Sequence, residues 1–434
     1  MNIIRIERSG PLSGSVKIQG SKNSSLALMA ACCLSDQPIT LSGIPDIYDI
    51  RIICDIAGDI GMGAARLANG DIRLHPGTIH NANIDKDKAS SYRASYYFVG
   101  ALLAKFGKVS IGFPGGDNFV SRPIDQHIKG LKAMGAEFSF HEDHYTVEAK
   151  KLKGADIYFD MITSGATINC MLAAVLAEGR TVLRGAAKDP EVVDTAILLN
   201  ELGAKVSGAG TDTIRIDGVR SLEGGHHTVI PDRLIAGAFL MSAGVAGGSV
   251  TVTDVIPDHL GSCLAKLTEI GMEIDYRDQS ITVSSAGRLK AVRVRTAMYP
   301  GFATDLQQPL TALLTQASGR SIIAEKIYPK RFQHVAQLRR MGADIDVRGS
   351  TAYIRGGAPL SGSWVHATDI RAGTCLLLAG MAAEGTTFLT GVDHIERGYE
   401  DALTAFRSLG ALMSLEQVDA AHAEEKLRIG NAKL

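Results

Sequence analysis

Thr163-Ser164-Gly165-Ala166-Thr167-Ile168-Asn169-Cys170-Met171-Leu172-Ala173-Ala174-Val175-Leu176-Ala177-Glu178-Gly179 is followed by Thr181-Val182-Leu183-Arg184-Gly185, and then by Asp189-Pro190, which opens a run closing on Leu202-Gly203-Ala204. The first stretch is alanine-rich and apolar on nearly every side, so it predicts a helix buried all round and stopped by glycine. The β-branched stretch predicts a short strand, and Gly154-Ala155-Asp156-Ile157-Tyr158-Phe159-Asp160 predicts another upstream. With Asp189 as N-cap and Pro190 at the first helical position, the last run predicts an amphipathic surface helix ended by Gly203.

Outward from this unit the closing glycine recurs at Gly61, Gly135, Gly203, Gly271, Gly342 and Gly410, 68 to 74 residues apart. Five copies share a context: Met134-Gly135-Ala136, Leu202-Gly203-Ala204, Ile270-Gly271-Met272, Met341-Gly342-Ala343 and Leu409-Gly410-Ala411. A fixed period of this kind sets architecture before any motif is considered. Buried helices are expected to begin near Ser21, Ser91, Thr163, Asp232, Thr304 and Asp369, and outer helices beside Pro45, Pro123, Pro190, Pro257 and Pro329. A sixth outer helix, without proline, is expected to open at His394-Ile395-Glu396-Arg397. Each unit then holds one buried helix, one surface helix and about four strands. Three units with helices inside and sheets outside make one globule, so six make two domains of an α/β (α+β) class.

The crossover between them is expected at Leu222-Glu223-Gly224-Gly225-His226-His227. Leu12-Ser13-Gly14-Ser15-Val16-Lys17-Ile18 resembles the opening of the later units, which assigns the N-terminus to the second domain. The expected division is a first domain of residues 22–229, carrying a loop at 112–123, and a second of residues 1–21 plus 230–434. Two chain connections make a natural hinge, and a cleft between hinged domains is a usual ligand site.

Composition narrows the partners. A net charge of −1 argues against nucleic acid, because phosphate-backbone binding normally shows as a basic excess. Cys32, Cys33, Cys54, Cys170, Cys263 and Cys375 have no metal-site spacing and read as reduced core residues. Met1-Asn2-Ile3-Ile4-Arg5-Ile6-Glu7-Arg8 is charged where a signal peptide is apolar, and no stretch reads as a membrane span. A soluble, cytoplasmic protein without membrane or nucleic-acid partners is expected.

Charges stand where the buried helices begin: Ser21-Lys22-Asn23, Tyr92-Arg93-Ala94, Asp232-Arg233, Thr304-Asp305 and Thr368-Asp369-Ile370-Arg371. Free N–H groups and the helix dipole already favour anions there, and Lys22, Arg93 and Arg371 strengthen such sites for phosphate or carboxylate. The competing reading makes the acids N-caps paired with the bases, and it is preferred for Asp232 with Arg233. Gly112-Phe113-Pro114-Gly115-Gly116-Asp117-Asn118-Phe119-Val120-Ser121-Arg122-Pro123 is longer than its counterparts. It reads as a catalytic lid over an ordinary glycine turn.

From about Gly10 to Ala411 these residues resemble the enolpyruvyl transferase family. The carriers are Gly20-Ser21-Lys22-Asn23, Arg93-Ala94-Ser95, Pro114-Gly115-Gly116, Arg122-Pro123-Ile124-Asp125, Gly208-Ala209-Gly210-Thr211-Asp212, Ile230-Pro231-Asp232-Arg233, Tyr299-Pro300-Gly301-Phe302, Thr304-Asp305, Asp369-Ile370-Arg371 and Arg397-Gly398-Tyr399-Glu400. Each is weak alone, and in this order they are specific. The resemblance implies a two-domain inside-out α/β barrel, each domain three βαβαββ repeats around buried helices. It implies transfer of the enolpyruvyl group of phosphoenolpyruvate to the 3-hydroxyl of UDP-N-acetylglucosamine, with release of phosphate and with no metal or organic cofactor.

By the same resemblance Lys22, Asn23, Arg122, Arg371 and Arg397 hold phosphoenolpyruvate, with Lys22 and Arg397 counted among the catalytic groups. Asn23, Arg93, Arg122, Pro123, Ile124, Asp125, Gln126, Thr163, Gly165, Asp305 and Ile327 hold the nucleotide sugar. Asp305 is the general base, and Asp369 a weaker candidate for proton handling. Most relatives carry cysteine where Asp117 stands and some carry aspartate; Asp117 is then the proton donor, and the thiol-alkylating epoxide fosfomycin is expected to fail. Thr163-Ser164-Gly165-Ala166-Thr167-Ile168-Asn169 and Pro329-Lys330-Arg331-Phe332 also depart from the family, where Ser-Val-Gly-Ala-Thr, often followed by Glu-Asn, and Glu-Asn-Arg-Phe are usual. Packing drift is preferred to altered substrate choice. A paralogue acting on another nucleotide, such as a uridine monophosphate, the shikimate-pathway branch, and a non-catalytic nucleotide-sugar sensor remain the alternatives.

Overall fold

All six repeat glycines adopt left-handed backbone, with φ between 92° and 101°. At each, the glycine N–H bonds the carbonyl three residues back while the next N–H reaches five back, as in Gly203 N to Asn200 O at 3.0 Å and Ala204 N to Leu199 O at 2.9 Å. This is the Schellman closure, which satisfies orphan carbonyls and which only glycine enters without strain. The residue after each glycine is buried, so the cap also starts the next strand inward.

A computed structural model of the chain describes residues 1–91, 93–113, 123–285 and 287–431; the side chains at 91, 93, 94 and 429–431 lie outside that description. So do 114–122, and with them Asp117 and Arg122. The chain divides into two compact units, Gly20–Ile230 and Met1–Gln19 with Pro231–Leu434. Each has its own apolar core.

Gly20–Ile230 contains the helices Lys22–Cys32, Tyr97–Phe106 and Ser164–Val175, buried along most of their length. Around them lie three four-stranded sheets. In the third repeat Asp156–Tyr158 pairs parallel with Arg180–Arg184 across the buried helix, which pairs antiparallel with Thr213–Asp217, itself the inner strand of a hairpin with Lys205–Ser207. The other unit repeats this around Arg233–Ala246, Thr304–Gln316 and Ile370–Ala382. Along the strands burial alternates, as in Thr213–Asp217, where Ile214 and Ile216 face inward. A helix apolar on every side is stable only when sheets cover it.

Three sheets close with strands distant in sequence. Gly225–Thr228 pairs parallel with Ile39–Ser42. The expected crossover at Leu222–His227 is therefore corrected: its second half is a strand of the first unit, and the chain leaves at Ile230–Pro231. In the other unit Asn2–Glu7 lies between Thr386–Thr390 and Met413–Gln417, and Leu12–Lys17 pairs with Gly248–Thr253.

Two further expectations are corrected. The second buried helix begins at Tyr97, after a short helix Lys86–Ser91 and a 3₁₀ turn Arg93–Tyr96, not near Ser91. The sixth outer helix is Ala402–Ser408, capped by Asp401, whose Oδ1 accepts from Thr404 N at 2.8 Å; His394 belongs to a separate short helix, Val392–Glu396. Asp189 holds the expected N-cap position of Pro190–Glu201, with Pro190 opening the helix; it makes no side-chain capping bond, and its carboxylate accepts from Ser164 Oγ at 2.9 Å. Five cysteines are buried and Cys54 is half-buried; all six are free. Among the described residues no helix is long and apolar enough to cross a membrane.

Candidate active site

In the Gly20–Ile230 unit, Ser21 caps the first buried helix by accepting from Ser24 N at 3.3 Å. The cap leaves Lys22 at the first helical position, where its ammonium pairs with Asp49. Asp49 is 1% exposed, so a positive charge is held at this helix start by a desolvated carboxylate. Behind it Ser24 donates to Asp194, which also bonds His227 Nε2 at 3.0 Å; His227 Nδ1 meets Glu201 at 2.7 Å. Burial opposes a charge on His227, but the two carboxylates outweigh it and lift its pKa.

The other expected residues of this unit are mostly engaged locally. Gln126 donates to Asp125 Oδ2 at 2.7 Å and accepts from Asp160 N at 2.9 Å, which fixes the start of Asp125–Ala133 against the 160 turn. Pro123 and Asp125 are exposed, and Asn23 and Ile124 half-buried. Thr163 holds the N-cap of Ser164–Val175 without a side-chain cap bond. Gly165 is required by a neighbour: a Cβ there would stand 2.6 Å from Tyr96 Oη. Asn169 accepts from Gly100 N at 2.6 Å and donates to the Tyr96 carbonyl at 3.1 Å, tying the second and third buried helices. Ile168 is wholly buried. Arg93 begins the 3₁₀ turn, with its side chain outside the described residues. Phe113, the last described residue before 114–122, lies against Tyr145 with ring centres 5.8 Å apart.

In the other unit the structure brings Asp305 and Arg371 together. Arg331 Nη1 donates to Asp305 Oδ1 at 2.6 Å and Arg371 Nε to Oδ2 at 3.2 Å. Both guanidinium groups are buried, whereas the Asp305 side chain is 28% exposed. The carboxylate is thus gripped from the protein side and open on another. Burial opposes the charge of Arg371, but Asp305, Asp232 and Tyr399 outweigh it and keep the guanidinium more firmly protonated than usual. Pro309 sits inside the Asp305 helix and withholds the N–H that would bond the Asp305 carbonyl.

Asp369 has a different task. Its Oδ1 accepts from Arg371 N at 2.8 Å and Ala372 N at 3.0 Å, and its Oδ2 from Gln308 at 3.3 Å. It caps the helix whose first turn carries Arg371. Asp232 caps likewise, accepting from Leu234 N and Ile235 N, while Arg233 lies over the Tyr299 ring at 5.2 Å. Arg397 follows the Val392–Glu396 helix, and Ile327 N bonds Glu325 at 2.8 Å.

The chain matches, over residues 6–406, the family described as EPSP synthase (3-phosphoshikimate 1-carboxyvinyltransferase). It is 45% identical over 98% of its length, and 99% of theirs, to proteins named UDP-N-acetylglucosamine 1-carboxyvinyltransferase 2 from Bacillus anthracis and Bacillus subtilis. The chain belongs to the enolpyruvyl transferase family. Among solved structures its fold resembles the enolpyruvyl transferase NikO of Streptomyces tendae, at a TM-score of 0.87 and 24% identity over 96% of this chain and 99% of that one. EPSP synthase of Acinetobacter baumannii follows with a TM-score of 0.75 and 19% identity, over 96% of this chain and 100% of that one.

For this enolpyruvyl transferase, the sequence left several supporting residues unassigned. Glu325 is wholly buried and accepts from Thr296 Oγ1 at 2.7 Å, Thr304 Oγ1 at 2.9 Å, Ile327 N at 2.8 Å and Tyr328 N at 3.0 Å. Thr304 adjoins Asp305, and Arg331 also donates to the Thr304 hydroxyl, at 3.2 Å. Arg331 is visible in the sequence only as part of a motif, and Asp49 carries no signal there at all. Their partners lie on other elements, so spacing carries no signal for them. Among the described residues no group of histidine, cysteine and carboxylate side chains could hold a metal ion.

Proposed function

We propose that the chain transfers the enolpyruvyl group of phosphoenolpyruvate to the 3-hydroxyl of UDP-N-acetylglucosamine, releasing phosphate, as the first committed step of peptidoglycan synthesis. The observation carrying this reading is the Asp305 carboxylate, open on one side and held by two buried guanidinium groups, in a chain 45% identical end to end to proteins of that name. The acceptor oxygen adds to C2 of phosphoenolpyruvate as its proton passes to Asp305, while C3 takes a proton from Asp117. The tetrahedral ketal then loses a proton from C3 and phosphate from C2. Cations must hold carboxylate and phosphate throughout.

Lys22, Asn23, Arg122, Arg371 and Arg397 are assigned to phosphoenolpyruvate. Asn23, Arg93, the stretch Arg122 to Gln126, Thr163, Gly165, Asp305 and Ile327 are assigned to the nucleotide sugar. Arg371 offers a trigger: its bond to Asp305 is long for a charged pair. Transfer of Arg371 to the substrate anion frees Oδ2 to take the hydroxyl proton.

Phosphate release is the test, with UDP-N-acetylglucosamine, uridine monophosphate or shikimate 3-phosphate as acceptor. Release with the first is expected, and release with none sinks the reading. Asp117→Asn should lower kcat by about 10²–10⁴, the usual contribution of a general acid. Fosfomycin should add no mass to the protein; a covalent adduct on Asp117, or full turnover by Asp117→Asn, overturns the donor role.

A further inference from the structure

We propose that Gln19 is a positioning residue for the Arg397 segment, linking it to the chain crossing that leads into Lys22; this rests on the transferase reading above. The Gln19 side chain behaves like a short piece of strand backbone. Its Nε2 donates to the Gly398 carbonyl at 3.0 Å, and its Oε1 accepts from Glu400 N at 3.0 Å. Both polar atoms of one amide thus grip the main chain on either side of Tyr399, immediately after Arg397. A bidentate contact of this kind fixes orientation as well as distance.

The main chain of Gln19 is anchored too. Its carbonyl accepts from Asp232 N at 2.9 Å, and Asp232 caps the Arg233–Ala246 helix and supports the charge on Arg371. The next residue, Gly20, opens the other unit, and Lys22 stands third along the chain. One side chain therefore joins the backbone behind Arg397 to the peptide that runs on to Lys22. These are two of the cations assigned to phosphoenolpyruvate.

The segment does not need Gln19 in order to fold. Gly398 N and Tyr399 N both bond the Ile395 carbonyl, at 3.0 and 3.1 Å. Tyr399 is buried, and its hydroxyl accepts from Thr374 at 3.2 Å. Gly398 also lies close against Ile370, since a Cβ there would come within 2.8 Å of that side chain. Loss of Gln19 leaves the segment in place and frees its aim. A kinetic effect without a matching stability effect separates positioning from simple stapling.

The test uses Gln19→Leu, close in size but unable to hydrogen-bond, and Gln19→Glu, which keeps an acceptor for Glu400 N but turns a second acceptor on the Gly398 carbonyl. Steady-state phosphate release is measured against phosphoenolpyruvate and UDP-N-acetylglucosamine, alongside thermal melting. Both variants should raise KM for phosphoenolpyruvate about tenfold, with kcat within about threefold and KM for the acceptor unchanged. Melting should move by no more than about 2 °C. In an Arg397→Lys background Gln19→Leu should cost little more, because coupled residues are not additive. Unchanged KM for phosphoenolpyruvate, a large melting shift without it, or additivity with Arg397→Lys overturns the proposal. If Gln19→Leu does not fold, Gln19→Glu carries the same comparison. Should the wild type release no phosphate with this acceptor, the transferase reading falls and takes this proposal with it; an active wild type matched by both variants sinks this proposal alone.

Discussion

Glu325 shows how the chemistry of single residues is organised. A wholly buried carboxylate is costly unless its lone pairs are filled, and four donors fill them. Two belong to the loop that leads to Arg331, and one to the residue before Asp305. Glu325→Gln replaces one acceptor by a donor facing donors. It should cost about 1–3 kcal/mol of stability by urea unfolding and lower kcat/KM, since both Asp305 and Arg331 lose a support. Normal kinetics with normal stability would show that the carboxylate is only filler. Asp305 and Arg371 were legible in the sequence because a charge at the start of an apolar helix breaks the pattern around it. Glu325, Asp49 and Gln19 were not, because each is polar in an unremarkable context and acts through a partner brought near by folding.

At the level of elements the repeat was legible because its stop signal is backbone chemistry. Six glycines at positive φ repeat one hydrogen-bonded closure, which survives any drift in the side chains around it. Gly203→Ala isolates that term, since a Cβ there meets nothing within 4 Å. The φ of 98° should make it destabilising by about 1–2 kcal/mol. Gly58→Ala is the contrast. Gly58 lies within the Tyr48–Asp59 helix, its Cβ also meets nothing, and alanine there should stabilise by about 0.5–1 kcal/mol. Paired urea titrations that give both changes the same sign would overturn the capping argument. The elements misread were those where tertiary contacts override local signals. The second buried helix is expected near Ser91, yet a short helix and a 3₁₀ turn intervene before it starts at Tyr97. The run from His394 looks like one helix, yet it breaks so that Asp401 caps a second one.

Across the whole molecule the two units should respond to acid in opposite ways. His334 is fully buried and its pKa is pushed down to about 3, by burial first and by Arg331 second. The unfolded chain takes up a proton near pH 6.5 that this site refuses, so stability present above that pH is lost below it, by about 2 kcal/mol between pH 7 and 5. His366 is shifted down as well, chiefly by burial, and lies in the same unit. His227 belongs to Gly20–Ile230 and is shifted up, so its contribution is complete below the unfolded pKa and is lost as pH rises through the folded value. Hydrogen exchange at pH 5, set against pH 7.5 and corrected for intrinsic rates, should show Pro231–Leu434 losing protection while Gly20–Ile230 keeps its own; the reverse order overturns the assignment. The division into units also has a consequence in time. Ile4 pairs with Leu389 and Leu415, roughly 400 residues further along, so a strand made early waits for partners made much later. Gly20–Ile230 closes its own sheets and can fold while the ribosome is still at work. Leu12–Lys17 needs only Gly248–Thr253, but Asn2–Glu7 stays unpaired until Thr386–Thr390 and Met413–Gln417 exist, and a circular permutant that places it directly after Met413–Gln417 would turn that wait into immediate pairing.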